Sequence, residues 1–303
     1  MLMDIFKKKE KVIDPIVHED EENINITNGV HILSNCRNVL IGGSAIVLEC
    51  INTTVKEIYG KAFIQIFENG TVGVMSGKTT IGLLKSGFIE KVCGRAQITT
   101  VDTCQIDYVT DRAKIGTMND VFIRFLDGRS ELATMTKGKV MFVRNRSRIV
   151  TLINGDITGI FDKSELVSML DGKITYGLNE AKIGTINNGQ VELLADQAEI
   201  STLNKGDINE MIGTSLISAN IGGKVEKQGN RTLIIYTPEM SRKRRAEFAK
   251  LREEKEKTAL NVEIKAAAEE DAKENKEVVA EQLTIDGTEK VAKKTTRKKK
   301  TDK

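Results

Sequence analysis

The 303-residue chain has no tryptophan, two prolines, two histidines and four cysteines, and only 4% of it is aromatic. Each scarcity removes a class of function. The cysteines, Cys36, Cys50, Cys93 and Cys104, form no C-x-x-C pair and have no histidine nearby, which argues against zinc and for a reduced setting. The histidines are His18, in the acidic stretch HEDEEN, and His31, so neither a Cys/His nor a Ser/His catalytic pair is suggested by position. No G-x-x-x-x-G-K-[ST] or G-x-G-x-x-G sequence stands at a strand-to-helix junction, and acids recur mainly as partners of bases. These readings predict a protein that is not an enzyme, with no cofactor, no metal and no small-molecule substrate.

Long apolar runs are also missing. None approaches the roughly 20 residues that span a bilayer, and the apolar part of MLMDIFKKKEK is too short for a secretory signal. The expected location is cytoplasmic. A net charge of +3 is too small for the strong field of a dedicated nucleic-acid binder, although its distribution is uneven.

What the chain has in abundance is glycine, 25 residues, and a repeat. The segments EAKIGTINNGQVELLAD and QAEISTLNKGDINEMIG, from Glu180 and Gln197, share one spelling of 17 residues, and the echo runs back to about Thr27 as 12 uninterrupted blocks. The fourth position reads Val30, Val47, Ile64, Ile81, Ile98, Ile115, Leu132, Ile149, Leu166, Ile183, Ile200, Ile217 and Ile234. The twelfth reads Val or Ile from Val55 to Val225. Positions seven and fifteen are mostly aliphatic, failing chiefly at Asn220, Gly177 and Gln228. The second is almost always Ala, Ser or Thr. Glycine recurs at position ten, as in Gly70, Gly87 and Gly138, where a turn with positive φ is expected.

A single block could bury almost nothing, but stacked blocks bury continuous aliphatic ladders. The fold class predicted is all-β: a single-chain parallel β-solenoid of about 12 coils, with like positions about 4.8 Å apart along the axis. Position three supports in-register stacking, because Lys114, Glu131, Arg148, Glu165, Lys182 and Glu199 alternate in sign from coil to coil. The predicted organisation is a flexible leader over 1–26, the solenoid over 27–236, a helix over 237–257 that caps the C-terminal end, and a charged, largely disordered tail over 258–303. Pro238 stops the ladder, and Phe248 with Leu251 would cover the last coil. The less regular first coil leaves the N-terminal edge as the better docking surface.

Two ladders stand out on the predicted surface. Lys61, Lys78, Arg95, Arg112, Arg129, Arg146 and Lys163 occupy position one of seven consecutive coils, a strip of roughly 29 Å that suits a polyanion such as nucleic acid. The competing reading is that Asp111, Asp127, Asp162 and solvent neutralise it. Thr100, Thr117, Thr134, Thr151, Ser168, Thr185 and Thr202 fill position six, and are expected to hydrogen-bond to one another. In the leader, Leu2, Ile5 and Phe6 with Lys7, Lys8 and Lys9 form a candidate anchor for weak contact with an anionic membrane surface.

A soluble β-solenoid with a short apolar-plus-lysine leader and charged tails resembles the bactofilins, the polymer-forming bacterial cytoskeletal proteins. That resemblance implies nucleotide-independent polymerisation by end-to-end stacking of solenoids, and membrane association through the leader. The coils also look similar to repeat segments of phage and low-GC bacterial proteins, which implies a structural or host-interaction role. The leading expectation is therefore a non-enzymatic scaffold that forms homo-oligomers through its solenoid ends. The alternative is a polyanion-binding module, or a phage-encoded structural or accessory protein.

Overall fold

The computed structural model describes residues 14–235 together with 249, 250, 253 and 254. The chain divides into two units, 1–241 and 242–303. In the second unit the four described residues are helical and exposed. The membrane anchor over Leu2 to Lys9, the cap at Phe248 and Leu251, and most of the 237–257 helix lie outside the described residues.

Among its described residues the first unit is a parallel β-solenoid of 23 strands in one continuous sheet. Every strand pairing is parallel, and over most of the length partners are 17 residues apart, as in Ile64 with Ile81 and Ile98 with Ile115. A typical coil carries two strands, for example Phe63–Glu68 and Thr71–Met75, which stack into two columns. In four later coils the two strands run together into single 13-residue segments such as Arg148–Ile160 and Lys182–Leu194.

The inward positions are two, four, seven, ten, twelve and fifteen, illustrated by Ala62, Ile64, Phe67, Gly70, Val72 and Met75, all buried. From Val47 onward, each aliphatic residue at position four is buried, so the repeat is a core pattern stacked along one axis. Position two must be small because it packs inside a corner, and where it carries a hydroxyl the corner satisfies it. Ser147 Oγ donates to the carbonyls of Arg144 at 2.7 Å and Leu126 at 2.9 Å, while Thr79 and Ser215 repeat the bond to the carbonyl three residues back. A buried hydroxyl with this partner avoids the cost of an orphan donor.

Four expectations change. The stack starts earlier than residue 27, because Ile16–Glu19 pairs with Val30–Ser34 and Asn25–Ile26 pairs with Val39–Ile41. The first coils are also shorter than 17: Ile16 faces His31, fifteen residues on, and Val30 faces Ile46, sixteen on. A register shift between His31 and Ile32 restores the regular spacing. The inward residue of that coil is therefore His31, not Val30; His31 pairs with Val47 and is 6% exposed.

The left-handed residue of the first turn is usually at position nine, not ten. Asn52, Asn69, Ser86, Thr103 and Asp120 all have φ near +50°, whereas at position ten positive φ occurs at Gly138, Gly172 and Gly206. Position-ten glycine is needed because it faces inward against the coil below: a Cβ on Gly70 would stand 2.4 Å from the Thr53 carbonyl oxygen. Lastly, the threonines of position six stack in register, as in Thr117 with Thr134, yet among the described residues their hydroxyls bond neither to one another nor to any other group. They point outward, where water competes for them.

Candidate interaction surface

The position-one cations form a true column. Each backbone N–H in it donates to the carbonyl of the turn residue one coil below, for example Lys78 to Gly60 at 2.8 Å, Arg112 to Gly94 at 3.0 Å and Arg146 to Gly128 at 2.9 Å. This holds the Cα atoms one above another, and all seven side chains are exposed. Lys163 pairs with Glu180 of the next coil at 3.4 Å. The other six, Lys61, Lys78, Arg95, Arg112, Arg129 and Arg146, make no ion pair among the described residues.

The carboxylates expected to neutralise the column are committed elsewhere. Asp111 Oδ2 accepts the Gly94 N–H at 3.0 Å, and Asp162 Oδ2 accepts the Asn145 N–H at 3.2 Å. Asp127 takes Arg144 Nη2 at 2.6 Å, the Gly128 N–H, and the Asn145 side-chain amide. Burial pushes the Asp127 carboxyl up, but those hydrogen bonds and the Arg144 charge outweigh burial and hold it below the usual carboxylate value. An open groove at the C-terminal end of the column is lined by Arg129, Arg146, Asp162, Lys163 and Glu180 among others.

The alternating charges at position three are in register throughout, and Lys114–Glu131 at 3.9 Å and Arg148–Glu165 at 3.0 Å close as ion pairs. Such exposed pairs are worth about 0–1 kcal/mol each, so they guard register more than they stabilise. A second alternating row went unread in the sequence: Lys139, Asp156 and Lys173 at position eleven, where Lys139 faces Asp156 and Asp156 faces Lys173. The signal was present at the same 17-residue step. Hydrogen bonds from Lys85 to Glu68 and from Lys173 to Glu192 raise both lysines above their ordinary value.

An aromatic ladder was also unread. Tyr108, Phe125 and Phe142 occupy position fourteen, with ring centroids 5.0 Å and 5.5 Å apart. Phe161 continues the row from position sixteen, lying over Gly159, where a side chain would collide with it. The Arg144 guanidinium sits 4.6 Å from the centre of the Phe125 ring.

At the N-terminal end, His18 and His31 stack, with His18 Nε2 and His31 Nδ1 3.2 Å apart. His31 Nε2 lies 2.7 Å from the Asn28 carbonyl and must donate to it, so its Nδ1 accepts from His18. Glu21 lies 3.0 Å from the remaining His18 nitrogen. Burial raises the thiols of Cys50, Cys93 and Cys104. Among the described residues no cluster of three or more metal-ligating side chains occurs, and no helix is long and apolar enough to cross a membrane.

Comparison with protein-family models, with curated proteins and with solved structures returns no match. The likeness to bactofilins thus stands on the parallel β-solenoid architecture alone.

Proposed function

We propose that this chain is a rigid, non-enzymatic scaffold whose stack of parallel coils presents chemical groups at fixed spacing and meets other copies through its ends. The observation that carries this reading is the 17-residue step kept from Ile46 to Met211, in which the same positions face inward coil after coil and local bulges near Ile153 and Asn187 are absorbed without changing the step. Such a stack is stiff because every coil is hydrogen-bonded to both neighbours. The N-terminal strand Ile16–Glu19 supports end-to-end assembly, since it is an edge with Ile16 54% and Val17 60% exposed. A leader anchor at Leu2 and Phe6 would bring such a polymer to a membrane surface from the cytoplasm.

Light scattering after size exclusion, with negative-stain imaging of the full chain, tests the proposal. Filaments or concentration-dependent oligomers that disappear on Val17→Pro support it, because proline removes an edge donor. A monomer at all concentrations removes self-assembly. Vesicle sedimentation tests the anchor: Leu2→Asp with Phe6→Asp should release the protein, and unchanged sedimentation defeats that part.

A further inference from the structure

The turn between positions sixteen and one adds a second set of groups to the cation column. Its residue at position seventeen has positive φ in coil after coil, as at Gly60, Gly77, Gly94, Asp111 and Asp162. In three coils the N–H of this residue is occupied by a carboxylate oxygen from the same position one coil above: Gly94 by Asp111 at 3.0 Å, Asn145 by Asp162 at 3.2 Å and Asn179 by Asp196 at 3.2 Å. The turn amide is therefore an oxyanion receptor, and the fold itself shows it filled.

Four consecutive coils carry glycine at this position, Gly43, Gly60, Gly77 and Gly94. Above the first three of these the next coil has no side chain to offer, whereas Asp111 stands above Gly94. A Cβ placed on Gly77 would stand 2.8 Å from the Gly60 carbonyl oxygen and 3.0 Å from the Gly60 nitrogen, and one on Gly94 would stand 3.1 Å from the Gly77 nitrogen, so glycine lets the turns stack closely while no side chain covers the N–H below. Among the described residues, the amides of Gly43, Gly60 and Gly77 meet no acceptor. The residues that follow three of these glycines are Lys61, Lys78 and Arg95, all exposed and without an ion pair among the described residues. Open amides and unpaired cations thus alternate up one edge of the rod, at a step of about 4.8 Å.

We infer that this edge, from Gly43 to Arg95, binds the phosphates of a single-stranded nucleic acid, with the turn amides and the adjoining Lys61, Lys78 and Arg95 each contacting phosphate oxygens. Backbone amides with a neighbouring cation are the usual receptor for phosphate. The row is straight and single. A duplex presents phosphates along strands that wind once per roughly 34 Å and would cross it obliquely, whereas a flexible single strand can lie along it. The stacked rings of Tyr108, Phe125 and Phe142 belong to later coils than this edge, so the contacts assigned here are to the nucleic-acid backbone and not to bases. The inference is independent of self-assembly, since a monomer would retain the edge.

The test is fluorescence anisotropy of a labelled 30-nucleotide single strand with the full-length chain, across roughly 50 to 200 mM salt. The decisive variant is Gly77→Asp. It copies the arrangement at Asp111, Asp162 and Asp196, which hold a positive φ in the same turn, and should place a carboxylate on the Gly60 amide once the turn shifts by a few tenths of an ångström to relieve the Cβ from the Gly60 carbonyl. Affinity should fall and the log–log salt slope should lose about 0.7 for each phosphate contact removed. Replacing Lys61, Lys78 and Arg95 together with Gln should lower the slope by about 2 on the same basis. Gln65→Asp, the same charge change on another face, should leave binding intact, and circular dichroism verifies that each variant is folded. Unchanged binding in Gly77→Asp and in the triple variant would assign any affinity to the lysine-rich tail and overturn the inference. Equal weakening by Gln65→Asp, equal affinity for a duplex, or displacement by a sulfated polysaccharide at lower charge concentration would overturn it as well.

Discussion

The first coils and the middle coils solve the same packing problem with different means. From about Lys61 to Met211 each coil repeats 17 residues and buries an aliphatic residue at positions four and twelve, and from Lys114 to Glu199 position three alternates in charge. Between Ile16 and Val47 the step is fifteen and then sixteen, a register shift takes up the difference, and a histidine stands where the middle carries Ile or Leu. His31 is tolerated because His18 and the Asn28 carbonyl satisfy both its nitrogens. The irregular strand Val30–Ser34 has neighbours on both sides, and the last pairing, Leu216 with Leu233, keeps the 17-residue step, so lying near an end does not by itself loosen the repeat. The contrast teaches that one register shift absorbs a short coil where its inward polar residue is satisfied locally.

The largest expected effect comes from breaking a middle coil. Ile115→Ala, fully surrounded by the ladder of Ile98 and Leu132, should cost about 2–5 kcal/mol in urea unfolding followed by circular dichroism. Ile26→Ala, in the edge strand, should cost less than half as much, because that coil can open locally without the rest. Equal losses would erase the distinction between end and middle.

His31→Val writes the middle-coil residue into the first coil. It removes a satisfied polar group and leaves His18 partly exposed, so stability should change by no more than about 1 kcal/mol. A loss of several kcal/mol would mean that the histidine pair holds the end together.

Acid sharpens the comparison further, because the strongest carboxylate network lies in the middle. Asp127 has a folded-state value held below its ordinary one, so its contribution is present above about pH 4 and is lost as pH falls through the depressed value. Asp127→Asn should flatten the decline in stability below that pH, and an unchanged acid limb would show that the network contributes nothing there.

The smallest effect concerns thiols. Cys36, Cys50 and Cys104 are buried, whereas Cys93 is partly exposed at the turn. Burial raises the thiols of Cys50, Cys93 and Cys104, so alkylation of the native chain at neutral pH should be slow and should reach Cys93 first. Mass spectrometry of partly labelled protein checks the order.

Much of the middle was legible in the chain because its two informative periods coincide. Ile64, Ile81 and Ile98 mark the inward face, and Lys114, Glu131 and Arg148 mark the outward one, each at a 17-residue step that only in-register parallel stacking satisfies. The first coil was misread for the same reason: Val30 fits the period better than His31, and nothing in the sequence signals a register shift. The cation column could be read as a column, but the commitment of Asp111, Asp127 and Asp162 to amides and to Arg144 could not.

From about Val47 onward the sequence by itself determined the coil length, the aliphatic inward residues and the line of cations, because these depend on spacing alone and spacing is conserved when identical units stack. The tertiary structure decided which turn residue takes positive φ, where the ladder begins, and which amides remain open. Those outcomes depend on what the coil above or below places within a few ångströms: Asp111 closes the Gly94 amide, whereas Gly77 leaves the Gly60 amide free.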